Sequence, residues 1–353
     1  MDRNLSHIPF VTLIIPARNE ESNIENCVIS LLSQTYPSDK FKIIVVDDNS
    51  SDATASIVRR MMEDYENLLL ISAGNLPTGW GGKNHACWQG IKKAEGEWYC
   101  FVDADTISEP ELLINAIGFS VSQKLDMLSI NPFQELSTKT EKLFLPWVFL
   151  AIASTMNFDR VNDPDKPESG ANGQFILFRK TTYDAIGGHS AVRSEIMEDM
   201  AFAELVKKSG FRLYWIFGDR LIRTRMYRNI FHIWEGLSKN MVDITKDSGD
   251  MAAIYRALSS LILGWMPVAL PILSLTFFSI NGVPPFQSWT MGLSLIASIS
   301  ILTVFLLTLR ALNISLVYFF SFPLGFTLHA FLTVNSRRKL KKGERQWKGR
   351  TYV

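Results

Sequence analysis

Trp98-Tyr99-Cys100-Phe101-Val102-Asp103-Ala104-Asp105-Thr106 is the stretch on which the fold turns. Trp98 to Val102 is a mostly apolar run of strand length. It stops on two carboxylates spaced i, i+2, before Glu109-Pro110-Glu111 opens a helix. A carboxylate pair at the carboxyl end of a strand lies where open α/β sheets bind ligands. Two hard oxygen ligands on one short turn suit Mg2+ or Mn2+, ions that keep further positions for phosphate oxygens. The pair therefore points to a nucleotide diphosphate held through a metal. By itself the triplet is equally a solvated turn, and the rest of the chain decides between the two.

On its amino-terminal side strands and helices alternate. Phe10 to Pro16 reads as a strand ended by its proline, and Asn19-Glu20-Glu21-Ser22 leads into a helix through Leu32. Lys42-Ile43-Ile44-Val45-Val46-Asp47-Asp48 is β-branched as a buried parallel strand should be, and Asn49 to Asp52 caps a helix from Ala53 to Tyr65. Leu68 to Ser72 reads as a third strand and His85 to Ala94 as a helix. This alternation predicts an α/β domain with a mostly parallel, Rossmann-like sheet covered on both faces. Every strand end is polar: Pro16-Ala17-Arg18-Asn19-Glu20, Asp47-Asp48-Asn49-Ser50 and Asp103-Ala104-Asp105. Gly79-Trp80-Gly81-Gly82-Lys83-Asn84 adds one lysine at a helix amino terminus, a point charge suited to a diphosphate. Singly these segments are turn formers and caps; together they converge on one sheet edge.

The carboxyl-terminal third is different. From Ala257 to Leu309 there is no Asp, Glu, Lys or Arg, and after Arg310 a second uncharged run continues to Asn335. Both exceed the ~20 apolar residues a membrane-spanning helix needs. The expected organisation is a soluble domain over 1–250, a membrane region with two to three helices over 251–336, and a basic tail over 337–353. Leu258–Ser279, Trp289–Leu309 and Leu312–Val334 are each long enough to span, but three crossings would put the tail across the membrane from the soluble domain. Its eight basic residues, Arg337 to Arg350, favour the cytoplasmic side. One segment is then expected to be re-entrant, and the first, with Pro267 and Pro271, is the candidate. Leu143 to Ala153 is apolar but too short to span, which leaves an interfacial anchor or a buried core helix. The net charge of +1 gives no support for nucleic acid binding. Met1 to Phe10 has no long apolar run, so no signal peptide is expected and the soluble domain should face the cytoplasm of a multi-pass cell-membrane protein. Cys27, Cys87 and Cys100 lack metal-ligand spacing and read as buried free thiols.

The run Ile15-Pro16-Ala17-Arg18-Asn19-Glu20, then Val45 to Asp52, then Asp103-Ala104-Asp105 resembles the nucleotide-sugar half of the inverting family 2 glycosyltransferases, which have the GT-A fold. The resemblance implies that Pro16, Ala17, Arg18 and Glu20 contact the nucleoside and that Asp48, with Asp47 as the alternative, contacts the uracil of a UDP-sugar. It gives Asp103 the ribose or the metal, makes Asp105 the principal ligand of Mg2+ or Mn2+ with Ala104 between them, and brings Lys83 to the diphosphate. Ser169 to Arg179 and Ile186-Gly187-Gly188-His189 are similar to the family's glycine-rich strand and paired-glycine turn on the acceptor side. Glu195 to Met200 opens a helix closed by Gly210, and the family's general base aligns with Asp199. The Gln-x-x-Arg-Trp of the polymer-making members is missing, since the corresponding stretch reads Phe231 to Asn240. A single transfer is expected. Leu76 to Lys83 and the tail Gln346 to Tyr352 resemble membrane-bound glycosyltransferases of carotenoid and hopanoid pathways, which implies an isoprenoid lipid acceptor. A donor domain followed directly in sequence by uncharged helices suits a lipid better than a soluble acceptor. The alternatives are a polyprenyl-phosphate sugar synthase, for which Arg223, Arg225 and Arg228 offer phosphate contacts, and a non-catalytic membrane scaffold.

Overall fold

The computed structural model describes residues 7–218, 220–227, 230–246, 249–281, 285–342, 345–347 and 350–352. The chain divides into two compact units, Met1–Gln134 with Asn157–Met226, and Glu135–Met156 with Tyr227–Val353. The second unit thus begins before residue 250 and takes in the short apolar stretch near 150.

Along the first unit run β1 (Val11–Ala17), α1 (Ile24–Leu32), β2 (Phe41–Asp47), α2 (Thr54–Met61), β3 (Leu68–Ser72), α3 (Gly82–Ile91), β4 (Trp98–Val102), β5 (Thr106–Ser108), α4 (Leu112–Ser122), β6 (Met127–Asn131) and β7 (Phe133–Gln134). After α5 (Lys139–Ala153), which belongs to the second unit, come α6 (Phe158–Asn162), β8 (Phe175–Arg179), α7 (Lys180–Ala185), α8 (Gly188–Ala191), α9 (Glu198–Lys208), β9 (Leu213–Phe217) and β10 (Ile222–Thr224). Seven strands form one sheet in the order β3-β2-β1-β4-β8-β6-β9. It is mostly parallel, with β8 antiparallel to both β4 and β6. Ile43 to Val46 are wholly buried, as strands covered on both faces require. The winding reverses between β1 and β4, so a crevice opens at their carboxyl ends, where such sheets bind ligands. Pro16 does not end its strand: β1 pairs with β2 through Ala17 but with β4 only through Ile14. Proline has no N–H to give, and its place is where one side of the strand is already unpaired.

The second unit adds α10 (Ile230–Lys246), α11 (Asp250–Asn281), α12 (Pro285–Ala311), a 3-10 turn (Leu316–Ser321), α13 (Phe322–Lys342) and the hairpin β11 (Arg345–Trp347) with β12 (Arg350–Tyr352). Three segments, Asp250–Thr276, Met291–Ala311 and Leu316–Lys341, are long and apolar enough to cross a membrane. Contrary to the expected break, α11 continues through both Pro267 and Pro271. It packs against α13: Ser260 Oγ and His329 Nδ1 lie 2.7 Å apart, and Trp265 donates to Thr327 at 3.1 Å. At the start of α11, Asp250 pairs with Arg337 and Lys341 of α13, both at 2.6 Å. These contacts make the two helices antiparallel, with α13 beside the first half of α11. Gly282, Val283 and Pro284, expected between the first two spans, lie outside the described residues, as do the tail side chains beyond Lys341. In α10 the buried Ile233, Leu237 and Met241 recur every four residues while Phe231 and Trp234 are exposed, so the helix is amphipathic. The Lys239 side chain lies outside the described residues.

Of the two readings of the short apolar stretch, the buried helix is the one observed. Trp147 of α5 is fully buried against Phe305 and Phe322, and its indole N–H donates to Ser321 Oγ at 2.8 Å. Thr138 starts α5 with a reciprocal capping box to Glu141.

Candidate active site

At the carboxyl ends of β1 and β2 two loops are laced together. The Asp48 amide donates to the Ala17 carbonyl at 2.8 Å, and the Arg18 guanidinium donates to the Asp48 carbonyl at 2.7 Å. Asn19 takes a positive φ of 53°, a conformation its short amide tolerates, and its Oδ1 accepts the Ser51 amide at 2.9 Å. The Asn19 and Glu20 amides donate to Ser50 Oγ and Thr54 Oγ1. Pro16, Ala17, Arg18, Glu20 and Asp48 are thereby brought together on one edge. Asp47 Oδ1 accepts the Ser50 amide at 3.3 Å, and the residue also borders a pocket of about 210 Å³ with Arg59, Leu70 and Ser72.

The turn after β4 is pinned by two other strands. The Asp103 amide donates to the Gln174 carbonyl, and Thr106 Oγ1 to the Asp103 carbonyl. Thr224 of β10 donates to the Asp105 carbonyl and accepts from Gln174, both at 3.1 Å. Ala104 is buried between the two carboxylates.

Lys83, in the first turn of α3, reaches into the centre of this arrangement. Its ammonium lies 2.7 Å from Asp103 Oδ1 and 2.7 Å from Glu198 Oε1. Burial works against its charge, but Asp103 and Glu198 outweigh it and hold its pKa well above the ordinary lysine range. Asp103 itself is pushed up by burial, with Lys83 pulling the other way. Next to Glu198, Asp199 accepts the amides of Gly173 and Met200, each at 2.8 Å. Burial first, and then the Glu198 charge, raise Asp199 to about 7. A carboxylate poised there is suited to take a proton near neutral pH. Gly173 sits where these groups meet: a Cβ there would lie 3.1 Å from Glu198, 3.2 Å from Lys83 and 3.3 Å from Asp199. No larger residue fits without moving a charged atom.

Sequence reasoning placed Lys83 at the diphosphate and Asp199 as base without seeing that Glu198 and Gly173 join them. It also missed Asn84, whose amide donates to the carbonyls of Val192 at 2.7 Å and Glu195 at 2.8 Å. With the Gly81 amide on the Arg193 carbonyl, the first turn of α3 anchors the segment that leads into Glu198 and Asp199. The only early sign of this was an Asn next to the lysine. His189 is no rival base, because burial and then Lys83 hold it down at about 3, neutral against the Tyr183 hydroxyl at 2.7 Å. The three cysteines are buried and free, and burial raises Cys27 to about 12 and the other two likewise upward, so none is a nucleophile. Arg223 pairs with Glu109 at 2.8 Å, and Arg228 lies outside the described residues.

Among the described residues no group of three or more His, Cys, Asp or Glu side chains is set to hold a metal ion. Asp103 and Asp105 supply only two carboxylates. That donor set fits Mg2+ or Mn2+ completed by phosphate oxygens and water, and does not fit an ion caged by protein alone.

Residues 12–187, which include both laced loops, the lysine and the Asp103-Ala104-Asp105 turn, match the model named Glycosyl transferase family 2. The chain carries a glycosyltransferase family 2 domain. This glycosyltransferase is 27% identical over 350 residues to the 4,4'-diaponeurosporenoate glycosyltransferase of Staphylococcus aureus strain MRSA252, covering 97% of this chain and 88% of that one. The protein of the same name from Staphylococcus haemolyticus is 28% identical over 234 residues, 65% of this chain and 60% of that one. Among solved structures, the mannosyltransferase of Pyrobaculum calidifontis in complex with GDP-Man and Mn2+ aligns with a TM-score of 0.55 at 19% identity, over 95% of this chain and 88% of that one. At that identity the likeness is one of fold. The expected GT-A class is therefore the observed one.

Proposed function

We propose that this glycosyltransferase moves a single sugar, with inversion, from a nucleotide diphosphate sugar, UDP-linked, to the carboxyl or hydroxyl oxygen of an isoprenoid lipid of the carotenoid type. The observation that carries it is the grouping of Asp199, Gly173, Lys83 and Asp103, which sets a proton acceptor within one residue's width of an ammonium suited to a diphosphate. The lipid is supported by the carotenoid substrate in the relatives' names and by three helices apolar enough to cross a membrane. The lack of Gln-x-x-Arg-Trp supports one transfer over polymerisation.

Ala17, Arg18, Glu20 and Asp48, with Pro16 shaping their strand end, receive the nucleoside. Asp47 stands beside them as the alternative acid. Asp105 and Asp103 would hold Mg2+ or Mn2+ with the donor's phosphate oxygens, and Lys83 meets the same diphosphate. A divalent cation bound there supplies counter-charge to the leaving group. With a hydroxyl acceptor, Asp199 takes its proton while the oxygen bonds to the anomeric carbon from the face opposite the departing diphosphate; an already ionised carboxyl attacks from the same face with no proton to give up. One carboxylate suffices, because the bond to the leaving group breaks as the new one forms and no covalent enzyme intermediate is needed.

The chain is read as a multi-pass membrane protein with its family 2 domain in the cytoplasm. Asp250 opens α11 and pairs with the end of α13, so both helices start or finish at one membrane surface. Leu316–Lys341 is long enough to cross, yet α13 within it lies only beside the first half of α11, with Thr327 against Trp265 and Arg337 at Asp250. Two crossings by α11 and α12 and a re-entrant return by 312–342 then leave the basic tail cytoplasmic, in accord with the positive-inside tendency. This reading makes the last of the three segments the re-entrant one, where the sequence favoured the first. Cysteines introduced at Met251 and Arg338 should both react with an impermeant maleimide from the same side; opposite sides would overturn the two-crossing reading. For the activity, membranes holding the full chain are incubated with radiolabelled UDP- and GDP-sugars and an isoprenoid acid or alcohol, and the lipids extracted. One sugar per lipid, lost in Asp105→Ala, is expected. Label confined to water-soluble products, or full turnover by Asp105→Ala in EDTA, would sink the assignment.

A further inference from the structure

Lys83 already occupies one carboxylate of the Asp103-Ala104-Asp105 turn. Its ammonium takes Asp103 Oδ1 at 2.7 Å and is steadied from behind by Glu198 at 2.7 Å and by the Gly173 carbonyl at 3.4 Å. Glu198 is 6% exposed, so its charge is committed to Lys83 instead of to solvent. Lys83 and Asp103 keep 23% and 28% of their side-chain surface open, which leaves an incoming ligand room to reach both. A divalent ion approaching Asp103 meets an occupied oxygen and a fixed positive charge a few ångströms away, and the repulsion between them is strong in a partly dry site. A diphosphate changes this balance, because its oxygens offer the ammonium a partner other than Asp103.

We propose that Lys83 is a positioning residue that occupies Asp103 in the unliganded protein and swings to the donor's diphosphate on binding, so that the divalent cation and the nucleotide are admitted only as a pair. Glu198 is the pivot that keeps the ammonium in the site through the exchange. The idea rests on the metal reading of Asp103 and Asp105. It explains why the described residues offer a cation only two carboxylates: the remaining ligands arrive with the partner that also removes the lysine. No bond is made or broken in the exchange; one ion pair, Lys83 to Asp103, is traded for a lysine–phosphate pair and a carboxylate–metal contact. By linkage, the factor by which nucleotide tightens the metal equals the factor by which metal tightens nucleotide.

The test measures Mn2+ binding to the purified full chain in detergent, from the electron paramagnetic resonance signal of the free ion, with no nucleotide and then with UDP or GDP. The unaltered protein should bind Mn2+ weakly alone and about tenfold or more tightly with nucleotide. Lys83→Gln should bind Mn2+ alone at least about fivefold more tightly than the unaltered protein, and the tightening by nucleotide should shrink. Because that change also makes the site more negative, Lys83→Gln/Glu198→Gln, which restores the original net charge, is the decisive variant and the one better suited to fold. If it keeps the tighter Mn2+ binding, the occupied Asp103 is the cause. Should it bind Mn2+ no better than the unaltered protein while melting at a comparable temperature, the guarding role is overturned. A different failure, no Mn2+ bound by any form even with either nucleotide, would remove the metal reading itself and this inference with it.

Discussion

The two halves of the sheet edge hold their candidate site residues by different means. At the ends of β1 and β2 the loops are laced by single hydrogen bonds to backbone groups, from Asn19, Ser50 and Thr54 and from the charged Arg18, Glu21 and Asp52, none of these bonds an ion pair across the loops. At the ends of β4 and β8 the positioning is ionic, with Lys83, Asp103, Glu198 and Asp199 packed around a glycine. Such a lattice loses one hydrogen bond at a time, each worth about 0.5–1.5 kcal/mol between neutral groups. A buried charge cluster does not degrade so gently, because removing one member strands the others. This contrast suits the roles proposed for them, recognition of the nucleoside by the first half and reaction at the second.

The largest separation between them should come from Asp199→Asn. With a hydroxyl acceptor and the proton acceptor removed, kcat is expected to fall by about 10²–10⁴, while the Kd for UDP or GDP, read by calorimetry, stays within about twofold. A collapse of nucleotide affinity would make Asp199 a binding residue and erase the contrast. The pH profile sharpens it: a base with its pKa raised to about 7 is protonated below that value, so kcat should fall about tenfold per unit as pH drops under 7. The same variant also reads the acceptor. A carboxylic acid is already ionised near neutral pH, so a mild loss with an acid and a severe one with an alcohol would identify the oxygen that needs the base.

Smaller, and still on the ionic side, is Gly173→Ala. The added methyl would press on three charged atoms at 3.1–3.3 Å. Overpacking of this kind costs about 1–3 kcal/mol, and a roughly tenfold loss in kcat/KM with a lowered Tm is expected. Unchanged kinetics would mean the cluster can give way without consequence. The smallest effect belongs to the hydrogen-bonded side. Asn19→Ala removes the acceptor of the Ser51 amide and leaves alanine at φ 53°, for about 1–2 kcal/mol of stability by urea unfolding. KM for the donor should rise a few-fold with kcat within about twofold; a large fall in kcat would show that the two halves are not separate.

The fold was legible because its evidence is local. Ile43 to Val46 and Trp98 to Val102 announce buried strands, and polar residues cluster at their ends within a few positions. What distance hides was not legible. Nothing in the alternation foretells that β8 enters antiparallel between β4 and β6. The candidate site residues came from a resemblance, and the structure brings Asp103, Lys83 and Asp199 near one another. Their connection, Lys83 to Glu198 across 115 positions of sequence, depends on how α3 and α9 meet the sheet, and no spacing encodes it. The prolines of the first apolar segment do not end its helix, because proline removes one hydrogen bond while the turns on either side keep theirs.

Helix α5 carries a consequence for synthesis. Its sequence is made in the middle of the family 2 domain, yet the side chains that cover Trp147 come much later, Ser321 following by 174 residues. At 5–20 residues per second the ribosome needs about 9–35 s to deliver them. For that interval a nascent chain with an almost finished sheet carries an apolar helix with no protein partner. Until Ser321 and its neighbours emerge, shelter for Trp147 has to come from outside the chain, from a chaperone or another apolar surface.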